Sequence, residues 1–476
     1  MTAKGVGSVV TAKGMARTTI RRRATIALRY AVRPVGPPRI GTTLGLGIGT
    51  LASLTPGLLP RTPSAQAVVT GLVATATFGI AGVVGFLSRR LGCDINQRHS
   101  WARLPLTIAT SVLVVGAAAN AGHWQNRLRA AMGTPQIEAG YWVRWALGVA
   151  LIIGLLTGII RSIAWALGKL GWARGVSSAL VAAVLLSLVG IPAVVGWREA
   201  AYASANAELD PTLVQPVSHA GSGSAGSAVS WSSLGAEGRK FVSGVPVRAV
   251  RVYVGVASAP DLDSRVALAI RELERSGGFD RSNLVVAVPT GSGWIDANAV
   301  AGFDQRFDGD VAVVGLQYSY LPSWATFVFG RDDAVTAART LFTAVEKHLR
   351  GLTNKPKLYL YGQSLGALGG NAVFADDAEQ DSRTCAVLWA GPPANSGHRG
   401  SATVLANSSD PVVHWSPAQL WRAPDLSGTR VDAPVPQWLP VVAFVQTTAD
   451  LLAALNAPPG HGHRYGTDQG TAMGTC

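Results

Sequence analysis

A chain of 476 residues exceeds what one compact core holds, so two or more domains are expected. Hydrophobic residues make up 48% of it and charged ones only 14%, with a mean hydropathy of +0.27; soluble domains carry about a quarter charged residues, so the values suggest a chain that is partly membrane. The net charge of +14 is concentrated largely in the N-terminal third, beside apolar segments, which speaks for membrane topology and against a nucleic-acid partner.

Residues 1–40 form a basic tail with no acidic residue. A transmembrane domain over 41–200 follows. Apolar segments near 41–59, 66–88, 104–122, 143–163 and 176–197 each approach the ~20 residues that a bilayer core requires. The first carries Gly41, Gly45 and Gly49 and the fourth Gly154 and Gly158, spacings that let helix backbones approach closely in lipid. Trp101, Trp124, Trp142, Trp172 and Trp197 fall near segment ends, as an interfacial belt would. Lys and Arg crowd the tail and the loop holding Arg89, Arg90, Arg98 and Arg103. The positive-inside rule then puts the N-terminus in the cytoplasm, and five spans put everything after Trp197 outside. Ser64-Ala65-Gln66-Ala67 has the small residues of a cleavage site, but the basic region before it is long and the site lies beyond the apolar run, so an uncleaved span is expected.

Residues 201–245 are Gly/Ser/Ala-rich without periodicity and read as a flexible linker. Over 246–476 the pattern alternates strand and helix. Val250–Val256, Leu284–Val288, Val311–Leu316, Lys357–Tyr361, Cys385–Leu388 and Thr403–Ala406 read as strands, and Ser264–Ser276 and Asp332–Arg350 as helices. This implies an α/β domain with a mostly parallel sheet covered on both faces. Cys93, Cys385 and Cys476 match no metal spacing and imply no disulfide framework. Cys385, at the start of an apolar run, reads as a core residue. No metal and no cofactor is expected.

Gly362-Gln363-Ser364-Leu365-Gly366 directly follows the fourth strand, the strand–G-x-S-x-G–helix pattern of a nucleophile elbow. A serine nucleophile needs a base, and the base needs an orienting carboxylate. In the order Ser, acid, His, the acid is Asp410 at the end of the last strand, with Asp450, Asp376 and Asp377 weaker candidates. The base is one of two histidines in Gly460-His461-Gly462-His463. His461 is favoured narrowly because it follows Pro458-Pro459-Gly460, and His463 remains open. Oxyanion donors are expected at Leu365 and in the Pro289–Trp294 loop at Gly291 and Ser292. Trp294, Tyr318, Tyr320 and Trp324 are candidate substrate contacts, equally readable as core or membrane-facing surface.

Together with Ser53-Leu54-Thr55-Pro56-Gly57-Leu58-Leu59-Pro60-Arg61, Gln317–Trp324, Ser409-Asp410-Pro411-Val412-Val413 and Gly460–Gly466, these motifs resemble a membrane-anchored α/β-hydrolase family of actinobacteria and some proteobacteria. The resemblance spans nearly the whole chain from about residue 40 and implies a multi-span N-terminal region followed by an α/β-hydrolase domain. It also implies a final helix after the histidine loop, for which few residues follow Gly466. The expected function is a membrane-bound serine esterase or lipase, cleaving an acyl ester or lipid at the outer membrane surface. The alternatives are acyl transfer to an envelope lipid or sugar, a non-catalytic receptor or scaffold, and a transporter, the last weakened by the lack of carboxylates in the spans.

Overall fold

The computed structural model describes residues 37–170, 177, 181, 184–218, 220–244, 247–394 and 396–476. Nearly all of the basic tail, Trp172 and much of the first half of the expected fifth span lie outside these residues. The chain divides into two compact units. One takes the chain up to Leu51 together with Val73–Gly116, and the other Ala52–Leu72 together with Ala117–Cys476.

Among the described residues, three helices are long and apolar enough to cross a membrane: Pro63–Arg90, Ser100–Ala131 and Tyr141–Lys169. Helix α1 (Ile40–Ser53) precedes them, and α2 (Pro63–Arg90), α3 (Arg103–Ala131) and α4 (Tyr141–Leu170) form their bodies. Helix α1 has 14 residues, about 21 Å of length against a bilayer core of ~30 Å. The expected first span over 41–59 is therefore too long. Pro56 and Gly57 break the helix, and Leu54, Leu58 and Leu59 are buried in the second unit instead. The expected close approach occurs at Gly45 and Gly49, where an added Cβ would lie 2.9 Å from Phe78 Cα and 2.6 Å from Ala74 Cα. At Gly154 and Gly158 nothing described comes within 4 Å. The Ile40 amide donates to Asn96 Oδ1 at 3.2 Å, so the start of α1 sits beside the loop that carries Cys93. Of the fifth segment, a π-helical turn at Leu186–Gly190 and α5 (Ile191–Ala207) are described. The wide turn precedes Pro192, whose ring cannot sit against a regular preceding turn.

In the second unit six parallel strands form one sheet: β1 (Val250–Val254), β2 (Asn283–Val288), β3 (Val311–Leu316), β4 (Lys357–Gln363), β5 (Ala386–Ala390) and β6 (Thr403–Leu405). Their order is β1-β3-β2-β4-β5-β6. β3 and β5 are buried along their whole length. That is why they read as unbroken apolar runs rather than alternating ones. Residues 220–243 do not form the expected flexible linker. Gly221 bridges to Arg251, Ser222 and Ser227 donate to the buried Glu272, and α6 (Gly235–Ser243) packs Phe241 and Val242 into the core. The small residues there let the chain run close to β1.

Helices α7 (Leu262–Arg275), α8 (Ala297–Arg306) and α9 (Arg331–Arg350) cover the sheet with amphipathic faces, and α10 (Leu365–Asn371) leaves the end of β4. Helix α11 (Val442–Leu451) precedes the histidine loop, and the turn Asp468–Thr471 follows it. Gln469 there bonds Tyr361 Oη at 2.7 Å and Asp296 at 2.9 Å.

The cysteines depart from expectation. Cys385 is not a lone core thiol but is bonded to Cys476, 91 residues away, while Cys93 is free and exposed. This link ties the chain's last residues to the start of β5. Cys476→Ser is expected to lower stability by about 2–4 kcal/mol through the freed loop. An unchanged thermal midpoint in the oxidised and substituted proteins would contradict it.

Candidate active site

Ser364 sits where β4 turns into α10, with φ 55° and ψ −123°. A non-glycine residue rarely adopts this conformation, and it persists because its surroundings over-determine it. The Ser364 amide donates to Ala390 O at 2.9 Å. A Cβ on Gly366 would strike the Val288 carbonyl, and one on Gly362 the carbonyl of Gly366. Both glycines are thus required by contact, and they bring the β2 end and the Pro289–Trp294 loop against the serine turn.

Asp410 follows β6 and is fully buried. Its Oδ1 accepts the Val412 amide at 2.9 Å; its Oδ2 accepts His463 Nδ1–H at 2.7 Å and Tyr465 Oη–H at 2.7 Å. Burial and the adjacent carboxylate hold the Tyr465 phenol well above its ordinary pKa, so it stays a donor. With Nδ1–H committed to an acceptor, neutral His463 carries its lone pair on Nε2. That atom is buried and has no hydrogen-bond partner among the described residues. His463 lies against the serine strand: Gln363 Nε2 reaches its carbonyl at 3.5 Å, and a Cβ on Gly391, the residue after Ala390, would lie 2.6 Å from its Cε1.

His461 is elsewhere. Its Nδ1 pairs with Asp432 Oδ2 at 3.0 Å, not with Asp410. Asp432 also accepts from the Ser408 hydroxyl at 3.1 Å and the Ser409 amide at 3.0 Å, and Ser409 Oγ accepts the Gly462 amide at 2.7 Å. The expected pairing of His461 with Asp410 therefore fails, because Gly462 takes φ +54° between the two rings and turns them to different acids. Of the weaker acid candidates, Asp450 is paired with Arg61, Asp376 caps the helix Asp377–Arg383, and Asp377 lies at its surface.

The Leu365 amide opens α10 and so has no acceptor in a preceding helical turn. In the facing loop Thr290 N donates to Trp294 O and Gly293 N to Thr290 O, which tightens the turn around Gly291 and Ser292. Tyr318, read as a substrate contact or as core, is buried, and its hydroxyl donates to Pro289 O at 3.1 Å, bracing that loop. Trp294 and Tyr320 are half-buried, and Trp324 is exposed. Sequence reasoning gave no role to Tyr465, Asp432 or Gly391. Tyr465 carried a signal in being an aromatic within the histidine motif; Asp432, in an irregular stretch, carried none. Among the described residues no cluster of metal-ligating side chains occurs.

No curated protein and no solved structure matches the chain. Residues 54–246 match the alpha/beta-hydrolase family N-terminus, and residues 250–406 and 399–474 match the alpha/beta-hydrolase family itself. With a parallel sheet, a serine elbow after its fourth strand and the match running through both parts of the chain, the protein belongs to the alpha/beta-hydrolase family.

Proposed function

We propose that the protein is a membrane-bound serine hydrolase that cleaves an acyl ester, with Ser364 as nucleophile, His463 as base and Asp410 as orienting acid. The observation that carries this is the His463–Asp410 hydrogen bond of 2.7 Å beside the serine turn, with Nε2 left without a partner among the described residues. Ser364 Oγ attacks the ester carbonyl carbon while its proton passes to His463 Nε2. The imidazolium so formed is stabilised by Asp410, and the oxyanion is met by the Leu365 amide and by those of Gly291 and Ser292. Collapse expels the alcohol, which takes the proton from Nε2. Water then repeats the sequence on the acyl-enzyme and releases the acid.

The three long apolar helices support membrane association. The Lys/Arg pattern puts the Cys93 loop inside and the hydrolase domain outside, and the Cys385–Cys476 disulfide favours an oxidising compartment for that domain. The acyl substrate is then an envelope lipid or ester met at the outer face.

Ser364→Ala should abolish labelling by a fluorophosphonate, and His463→Ala should nearly do so. His461→Ala should keep substantial labelling; loss in His461→Ala alone would return the base to His461, and labelling that survives Ser364→Ala would refute the mechanism. Asp410→Asn is expected to keep the fold and lower turnover by about 10⁴-fold by favouring the wrong imidazole tautomer; normal turnover would remove Asp410 from its role. For topology, Cys93 is the free thiol to use. A membrane-impermeant maleimide should label it only after cells are permeabilised, and labelling of intact cells would invert the orientation.

A further inference from the structure

The Ser53–Arg61 segment has no part in the chemistry above, yet it is built into the same compact unit as the hydrolase sheet. Arg61 is 4% exposed and Asp450, on α11, 0%. Their ion pair is 2.8 Å long through both Nε and Nη2. Arg61 Nη1 also donates to Gln446 Oε1 at 2.6 Å and Nη2 to Gln446 O at 3.1 Å, one turn earlier on the same helix. The bonds are returned: the Leu58 amide donates to Asp450 Oδ2 at 2.8 Å, and Gln446 Nε2 to Ala52 O at 2.8 Å. A Cβ on Gly57 would lie 2.8 Å from Asp450 Oδ2, so the segment's Pro-Gly turn is shaped to this carboxylate.

From α11 the contacts lead to the histidine loop. Ala453 N bonds Asp450 O at 2.9 Å, and His463 N bonds Ala454 O at 3.1 Å. A second path avoids the ion pair. Leu59 is 1% exposed and packs with Ala433 and Ala457, and a Cβ on Gly462, between the two histidines, would lie 3.2 Å from Leu59 Cδ2. Ala433 adjoins Asp432, the partner of His461.

We propose that Leu59 and Arg61, from the connection between α1 and α2, are positioning residues that set the catalytic imidazole of His463 from outside the hydrolase domain. The membrane-proximal segment thereby completes the active site, an inference that rests on the serine-hydrolase mechanism proposed above. Burial raises the Asp450 carboxyl, and Arg61 and the Leu58 amide oppose that shift.

The test uses the full chain in detergent micelles, with a fluorophosphonate as probe, ¹⁵N-histidine labelling to follow the His463 Nδ1–H resonance, and thermal melting to follow the fold. Leu59→Ala and Arg61→Ala should still melt cooperatively, lose or shift that resonance and label about 100-fold more slowly, the cost of displacing a catalytic group by about 1 Å. Arg61→Lys, which keeps the charge but loses the fork, should fall between them and the unsubstituted protein. Labelling rates and a resonance indistinguishable from the unsubstituted protein in the folded variants would overturn the proposal. If Arg61→Ala does not fold, Leu59→Ala decides, because it leaves the ion pair intact and trims the packing with Ala433, Ala457 and Gly462. If the unsubstituted protein itself is not labelled, the hydrolase mechanism fails separately. The His463 resonance in Leu59→Ala then still judges the positioning: lost or shifted supports it, unchanged overturns it.

Discussion

The Asp410 carboxylate constrains everything around it. A buried negative charge persists only where donors replace its hydration, and three do so here: Val412 N, His463 Nδ1–H and Tyr465 Oη–H. Two of these come from one stretch of chain more than 50 residues downstream, so the loop that brings the imidazole also brings the phenol. The serine turn is bound to the same place by backbone, since Ser364 N bonds Ala390 O and the next residue, Gly391, lets His463 approach. The strained φ of Ser364 is sustained by this convergence of β4, β5 and the β2 end.

A second carboxylate, Asp432, repeats the arrangement beside the first with different consequences. It gathers Ser408, Ser409 and His461, and through Ser409 Oγ the amide of Gly462. Every one of those groups flanks Asp410 or His463 in sequence. Arg430 adds to this layer by donating to Asn407 Oδ1 and Gly460 O. The Asp410 loop and the histidine loop are thus tied to each other independently of the Asp410–His463 bond.

The strands, the elbow and Asp410 were legible because each follows from local pattern: buried parallel strands are unbroken apolar runs, and the glycines flanking Ser364 mark a turn crowded on both sides. What was not legible depends on contacts distant in sequence or on one backbone angle. An extended loop would have turned both histidines the same way, and only the left-handed Gly462 sends them to different acids. Gly/Ser content in 218–230 looked like a linker because composition does not reveal Glu272, whose carboxylate the Ser222 and Ser227 hydroxyls and the Ala228 amide satisfy. Pairing of Cys385 with Cys476 needed the fold to bring them together. Strand order β1-β3-β2 likewise follows from crossover handedness rather than from any residue run. The end of α1 at Ser53 did carry a signal, Pro56-Gly57, which an apolar window averages away.

Asp450 was the plainest anomaly in the sequence, a carboxylate within an apolar helical stretch, and its partner stands 389 residues earlier. Such a pair is a poor way to gain stability. Replacing a buried ion pair with apolar side chains of similar volume is often neutral or stabilising by about 1–4 kcal/mol, whereas removing one partner costs about 3–5 kcal/mol. An apolar contact would tolerate sliding of α11 along the segment, because dispersion has little direction. A guanidinium bonded to Asp450 Oδ1 and to both oxygens of Gln446 does not, since its planar fork admits one orientation. What burying this charge gives is therefore register between the Ser53–Arg61 segment and α11, the helix that leads into the histidine loop.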